Sequence, residues 1–229
     1  MSQKISLEEA LPIINQVANQ PFKDLFKDKT IFSDILNKGK SGHLLEHTLI
    51  GLDLTSDLLD FTNGELKTVI WREYGFTPDD TMAITMVNTD IDDFLSDMPY
   101  EESHLYKKIK NFILVPVVKK QKSGKNWPAE NWYYGTPYHV SINMPQYKDF
   151  YDQLKRDYYS IKEQIINILN NNGFLETTNG KYLQIRTKGS GKDTICFSKI
   201  YNRNINSSGA AYAFYLKLDG LKKIKEINS

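Results

Sequence analysis

Hydrophobic and polar positions recur with different periods along the chain, and these periods predict its helices and strands. Residues 7–26 carry apolar side chains at helical spacing, which predicts one or two amphipathic helices with Pro12 and Pro21 as punctuation. The segment 43–50 repeats the helical spacing after a polar turn that contains glycine. Residues 150–170 predict a single long helix.

Strands are predicted where apolar residues alternate with polar ones or run together. The candidate strands are Leu58–Phe61, Glu65–Trp71, Met82–Val87, Asn111–Val118, Tyr182–Lys188 and Ala211–Lys217. Asn63 and Gly64 lie between the first two and predict a tight hairpin, because Asn-Gly suits the positive φ angles of such a turn. The nearly continuous apolar run of Asn111–Val118 predicts a strand buried on both faces. Together these elements predict an α/β fold of the mixed α+β type, in one domain that spans residues 1–229.

The net charge of +1 conceals an uneven distribution of charge. Residues 181–229 carry ten basic and three acidic residues, a net charge of +7, and the remaining chain carries −6. A basic region of this kind is typical of a surface that faces phosphates, and a solvated basic face is the alternative. A single cysteine excludes an internal disulfide and a cysteine zinc cluster. The single cysteine fits a reducing cytoplasm, and no membrane span or signal peptide is expected.

Candidate chemistry lies around the predicted hairpin. Residues two apart on a strand point to the same face, so Glu65 and Lys67 should emerge together. Asp60 lies on the preceding segment, and Glu46 would face the same place if its helix packs there. Carboxylates are suitable ligands for magnesium, which activates water and neutralises charge on a phosphodiester. Lys67 would position that water and stabilise the developing charge.

Simpler interpretations compete with these features. An acidic-x-Lys triplet on a strand is most often a solvated face. The segment 189–193 (GSGKD) resembles a phosphate-binding loop, but the spacing of its glycines and the residue after its lysine exclude that motif. His43 and His47 are four residues apart, as in some metal sites. No third ligand is evident from the sequence, so ordinary surface or core histidines are expected.

Four segments in order resemble the MutH-type DNA endonucleases, a family of mismatch-repair nickases and restriction enzymes that recognise GATC. The segments are Asn37–Glu46, Asp60–Thr68, Ser103–Val117, and Tyr182–Lys188 with Phe214–Lys217. The resemblance implies a restriction-endonuclease-like core with a central mixed β-sheet, in two lobes around a DNA cleft. The catalytic lobe would span about residues 1–175, and residues 176–229 would contribute the basic lobe that reads DNA.

The resemblance also implies roles for the catalytic residues. Glu46, Asp60 and Glu65 would hold Mg²⁺, for which Mn²⁺ would substitute. Lys67 would assist the attacking water, and Lys108 would lie near the scissile phosphate. Only four residues separate Asp60 from Glu65, fewer than in the repair nickase, so Asp57 is an alternative to Asp60.

The DNA-binding residues implied by the resemblance are Lys38 at the cleft entrance, and Arg186, Lys188 and Tyr215 on the reading surface. Tyr215 corresponds to a tyrosine associated with sensing adenine methylation. Residues 209–213 (GAAYA) depart from the family's base-reading loop. We therefore expect a bacterial restriction enzyme acting on double-stranded DNA at GATC. A methyl-directed nickase, with MutL- and MutS-type partners, and a catalytically silent DNA-binding module are the alternatives.

Overall fold

The computed structural model describes residues 4–28, 30–34, 39–51, 58–88, 90–119, 121–122, 125–126, 128–188, 194–207 and 209–229. Its α-helices are α1 (Leu7–Val17), α2 (Phe22–Leu25), α3 (Ile31–Asp34), α4 (Lys40–His43), α5 (Ile91–Leu95), α6 (His104–Ile109), α7 (Lys148–Asn170) and α8 (Leu218–Ile227). A π-helix spans Leu44–Ile50, and 3₁₀ turns span Tyr100–Glu102, Ala129–Asn131 and Pro145–Tyr147.

The strands are interspersed with these helices, as the sequence pattern predicts. They are β1 (Glu65–Arg72), β2 (Thr77–Pro78), β3 (Met82–Met86), β4 (Asn111–Lys119), β5 (Gln121–Lys122), β6 (Lys125–Asn126), β7 (Tyr133–Tyr134), β8 (Tyr138–Ser141), β9 (Thr178–Asn179), β10 (Leu183–Lys188), β11 (Phe197–Ser198), β12 (Arg203–Asn204) and β13 (Ala211–Leu216). The fold is therefore mixed α+β with several sheets, which confirms the predicted class.

The chain forms two compact units. The first unit contains Met1–Asp80, Lys110–Ser141 and Asn228–Ser229, and the second contains Thr81–Ile109 and Ile142–Ile227. These bounds differ from the boundary near residue 175 that the resemblance implies. That boundary separates a catalytic lobe from a DNA-reading lobe, whereas the two units are defined by their internal contacts. That division stays a prediction.

The first unit is built on a five-stranded sheet in the order β2-β1-β4-β7, with β8 also paired to β4. β1 and β4 run parallel along their whole length, and the other pairs are antiparallel. The seven residues between the ends of β4 are buried, which confirms a strand covered on both faces. Pro116 lies where β4 changes partner from β8 to β7, so its missing N–H interrupts neither pairing.

Helix α1 packs its apolar face, formed by Leu7, Ala10 and Ile14, into the core of the first unit. Ser6 caps this helix by accepting a hydrogen bond from the Glu9 amide. The expectation that Pro12 punctuates the helix is wrong, because Pro12 lies within α1. The capped first turn and the buried face hold the helix together around the backbone hydrogen bond that proline cannot donate.

The second unit contains an antiparallel sheet in the order β3-β13-β10-β9. The predicted strands in this region are confirmed to within a residue at either end, and the long helix appears as α7. Phe214 of β13 packs its ring against Phe94 and Tyr158, so this face of the sheet is covered by α5 and α7. The opposite face of β10 and β13 carries Gln184, Arg186 and Tyr215.

Candidate active site at the start of β1

The segment before β1 is an irregular turn, not the strand predicted at Leu58–Phe61. β1 pairs with β2 and β4 instead, so the expected hairpin is wrong. Gly64 has no positive φ angle. A Cβ at Gly64 would lie 2.6 Å from Leu7 Cδ1 and 2.9 Å from the Asn111 carbonyl oxygen. Glycine is therefore required here by close packing rather than by hairpin geometry.

Long-range hydrogen bonds of Asn63 hold this turn in place. Its side-chain oxygen accepts the Leu7 amide at 2.9 Å, and its side-chain nitrogen donates to Glu8 at 2.8 Å. The Asn63 carbonyl accepts a hydrogen bond from the Asn111 side chain at 2.9 Å, and Asn111 in turn contacts His139. The turn is thus tied to α1 and to β4. Sequence reasoning missed these positioning residues, because their partners are 28 to 56 residues away.

Glu65 and Lys67 emerge on one face of β1, as their spacing predicts. Lys67 Nζ donates to Glu65 Oε1 at 2.5 Å. Glu65 is only 2% exposed, while Leu66 on the opposite face is buried in the core. A buried carboxylate is costly unless it is paired, and the Lys67 ammonium provides a pair at this position.

Asp60 lies beside this pair, although it is not on a strand. Its Oδ2 accepts a hydrogen bond from the Leu66 amide at 2.8 Å, and its own amide lies 3.3 Å from Glu65 Oε2. The backbone therefore couples the two carboxylates through reciprocal contacts across the turn. Asp57, the alternative to Asp60, lies outside the described residues.

Glu46 reaches the same neighbourhood from the π-helix. Its segment packs on β1, where a Cβ on Gly42 would lie 2.9 Å from Thr68 Oγ1. Burial raises the pKa of the Glu46 carboxyl, and the negative charge of Asp60 raises it further, against the opposing charges of nearby histidines and Lys67. π-Helical turns occur frequently at functional sites. The structure thus brings Glu46, Asp60, Glu65 and Lys67 into one neighbourhood.

Glu46 also has two histidine neighbours that the sequence interpretation set aside. His43 Nδ1 lies 3.7 Å and His47 Nε2 lies 3.9 Å from Glu46 Oε2. Within the part of the chain that the structure describes, these three form the group of possible metal ligands whose donor atoms lie within 4.8 Å of one another. The predicted trio of Glu46, Asp60 and Glu65 does not form such a group of closely spaced donor atoms. Glu46 is therefore a third candidate ligand beside the two histidines, and the sequence spacing alone did not identify it.

The predicted DNA-reading residues lie in the second unit. Arg186 is paired with Ala213 and Gln184 with Tyr215, so these side chains share one face of the sheet. The Arg186 guanidinium stacks 4.3 Å from the centroid of the Tyr215 ring, and its Nη2 donates to Thr81 Oγ1 at 2.8 Å. Tyr215 is buried, whereas Lys188 at the end of β10 is exposed.

Other predicted residues fall elsewhere. Lys108 lies on α6 in the second unit, and its role near a scissile phosphate stays a prediction. Lys38 and the 189–193 loop lie outside the described residues. His104 pairs with Asp90 at 2.8 Å, in keeping with a structural role. Cys196 is fully buried, and burial raises its pKa to about 11.

Comparisons with known proteins leave the family open. No protein-family model matches the chain, and no curated protein matches it.

Among the described residues, none of the helices combines the length and the apolar character that crossing a membrane requires.

Proposed function

We propose that this chain is a magnesium-dependent DNA endonuclease that cleaves double-stranded DNA at GATC as a restriction enzyme. The observation that carries the proposal is the pair of buried Glu65 and partly buried Lys67 on one face of β1, beside Asp60 and Glu46. In this proposal the first unit's sheet, which mixes parallel and antiparallel strands around β4, is the restriction-endonuclease-like core.

Glu46, Asp60 and Glu65 are the residues that would hold the magnesium ion. Their oxygen donors suit a small hard cation. Glu46 and Asp60 repel each other, and a bound dication would offset that repulsion. The Lys67 ammonium beside Glu65 supports the view that this carboxylate accepts a cation. When bound, magnesium supplies Lewis acidity toward water and the phosphodiester, and manganese substitutes for it.

The chain's own residues have distinct tasks in this scheme. Lys67 donates one hydrogen bond to Glu65, and an ammonium has two further N–H groups to donate. These would orient the attacking water and stabilise the negative charge that develops on the phosphorus-bound oxygens. Asp60 is held in place by the Leu66 amide, so it does not need to be ordered when substrate binds.

The sheet of the second unit is the proposed reading surface. Stacking on Tyr215 restricts the orientation of the Arg186 guanidinium. Arginine paired with the O6 and N7 atoms of guanine is the commonest specific contact in the major groove. The adenine methyl group projects into the same groove, so the Tyr215 ring is a candidate sensor of methylation. Lys188 would contact phosphate at the exposed end of β10.

A plasmid digest tests the proposal. Purified protein is incubated with GATC-containing plasmid in unmethylated, hemimethylated and fully methylated states, and with a control plasmid that lacks GATC. Double-strand cuts at GATC, 5′ to the guanine, that require Mg²⁺ or Mn²⁺ and do not occur with Ca²⁺ are expected. Nicks confined to unmethylated strands would identify the repair-type alternative.

Two outcomes would contradict the proposal. Robust cleavage in excess EDTA would exclude the metal-dependent mechanism. Sequence-specific DNA binding without cleavage under any of the metals would favour the catalytically silent module. The Glu65→Ala variant controls for contaminating nucleases, because it removes the pair that carries the proposal while its matched control, Glu73→Ala, changes an exposed glutamate just beyond β1.

A further inference from the structure

His43, Glu46 and His47 form a compact cluster where α4 passes into the π-helix. Two imidazole nitrogens lie 3.7 and 3.9 Å from the same carboxylate oxygen of Glu46. The two rings stack with centroids 5.7 Å apart. Ligands of a tetrahedral ion with bonds of about 2.1 Å stand about 3.4 Å apart. Small side-chain rotations would therefore bring all three donors onto one ion.

The winding of the chain explains why these side chains meet. His43 and His47 are four residues apart, which places them on one side of a helix. The order His-x-x-Glu-His is also one in which helices present two imidazoles to zinc. Glu46 is held near them because its segment packs on β1 through Gly42 and Thr68.

The cluster is open to solvent on one side. The side chains of His43, His47 and Glu46 are 60%, 27% and 22% exposed, so an ion approaches from the side of His43, while the Nε2 atom of His47 itself is buried. Three protein ligands with a remaining position open to water are the arrangement of catalytic zinc sites, whereas structural zinc sites have four protein ligands. Imidazole ligands favour zinc and other transition metals, whereas magnesium prefers oxygen donors.

We propose that His43, Glu46 and His47 bind a divalent transition-metal ion, represented by Zn²⁺, at a site distinct in ligand chemistry from the magnesium centre of the proposed function. The two sites share Glu46. Zinc binding does not depend on nuclease activity, so it is measured directly and without DNA. A failure of this inference is then distinguishable from a failure of the proposed function.

The experiment uses the intact chain, stripped of metal by a chelator and dialysed. ZnCl₂ is titrated by calorimetry, and CoCl₂ is titrated by visible absorption, which reports nitrogen ligation. The titrations are run in Mg²⁺-free buffer, because Mg²⁺ at the proposed magnesium centre would compete for Glu46, and a parallel titration with Mg²⁺ measures that competition. We expect one Zn²⁺ per chain and a cobalt spectrum that Zn²⁺ abolishes.

Variants of each histidine identify the ligands. Loss of even an outer partner of a metal ligand costs about 10- to 100-fold in affinity, so His43→Ala and His47→Ala should each weaken Zn²⁺ binding by about 100-fold or more. His104→Ala, which removes a histidine paired with Asp90, should bind Zn²⁺ as the wild type does.

Two results would overturn the proposal. One is a wild-type protein that binds no Zn²⁺ in Mg²⁺-free buffer, which would leave only ion pairs between Glu46 and the histidines. The other is a His43→Ala variant with unchanged Zn²⁺ affinity and cobalt spectrum. Because His43 is mostly exposed, this variant should fold, and circular dichroism checks that it does.

Discussion

Two buried carboxylates, one in each unit, show how differently the same group is used. Glu65 in the first unit is 2% exposed, and Asp157 in the second is 3% exposed. Asp157 accepts hydrogen bonds from the Tyr182 amide at 2.5 Å, the Leu183 amide at 2.9 Å and the Gln153 side chain at 2.7 Å. Glu65 instead faces the Lys67 ammonium at 2.5 Å.

The difference lies in the chemistry of the partners rather than in burial. The donors to Asp157 are neutral amides, two of them on the backbone, and they tie α7 to the start of β10. A Cβ on Gly180 would lie 2.5 Å from Asp157 Cγ, so the chain is closely fitted around this carboxylate. The Lys67 ammonium is a mobile point charge on a long side chain, so Glu65 faces a cation rather than fixed backbone donors. Asp157 therefore has a structural role, and Glu65 is the candidate for chemistry.

The comparison predicts its largest effect at Lys67. Lys67→Ala should lower the rate of plasmid cleavage by about a thousandfold, the cost of removing one preorganised donor to a developing charge. The free energy of unfolding should also fall, because Glu65 is left buried without its ammonium partner, so rates are compared at a temperature where both proteins are folded. Initial cleavage rates and circular dichroism measure the two effects. The matched control is Lys23→Ala, an exposed lysine on α2. A Lys67→Ala enzyme within tenfold of the wild-type rate would remove Lys67 from the catalytic scheme.

At Asp157 the predicted effect is on stability alone. Asp157→Ala leaves buried amide donors without their acceptor, which should lower the free energy of unfolding by about 3 kcal/mol. Urea denaturation measures this loss, with Asp152→Ala as the control because Asp152 is a half-exposed residue on the same helix. An Asp157→Ala protein with an unchanged unfolding midpoint would show that burial and hydrogen bonding do not make this carboxylate structural.

How much was predictable from the sequence differs between these features. The shared face of Glu65 and Lys67 follows from strand periodicity alone, and the structure bears it out. The hairpin prediction was wrong because Asn63 and Gly64 make long-range contacts with α1 and β4, and a local sequence pattern does not reveal such contacts. The position of Glu46 depends on a π-helix, and hydrophobic spacing does not separate a π-helix from an α-helix.

A smaller effect, on DNA binding, is predicted for Arg186 and Lys188 on β10 of the second unit. Arg186→Ala should weaken specific DNA binding by about 1–3 kcal/mol if Arg186 pairs with guanine. Lys188→Ala should reduce the slope of log affinity against log salt by about 0.9, the effect of one lost phosphate contact. Lys222→Ala, which removes an exposed charge on α8, is the control for net charge. If both variants match this control in affinity, site preference and salt slope, the sheet is not the reading surface.

The smallest predicted effect concerns Glu46 and pH. Burial, aided by the charge of Asp60, raises the pKa of Glu46 above its ordinary value of 4.5. The folded protein therefore binds more protons here than the unfolded chain, and the Glu46 contribution to stability falls as the pH rises from about 4.5 through the raised folded pKa. Glu46→Gln removes this dependence, so in metal-free buffer the variant should gain stability relative to wild type between acid and neutral pH.

Glu9 is a control of opposite sign, because hydrogen bonds from the Ser6 backbone and hydroxyl lower its pKa. Its stabilising contribution is present above 4.5 and lost as the pH falls through its folded pKa, so Glu9→Gln should be less stable than wild type at neutral pH. Thermal unfolding measured at a series of pH values tests both signs. A Glu46→Gln curve parallel to that of the wild type would show that Glu46 ionises at no cost to the fold, and its place beside Asp60 would then need another explanation.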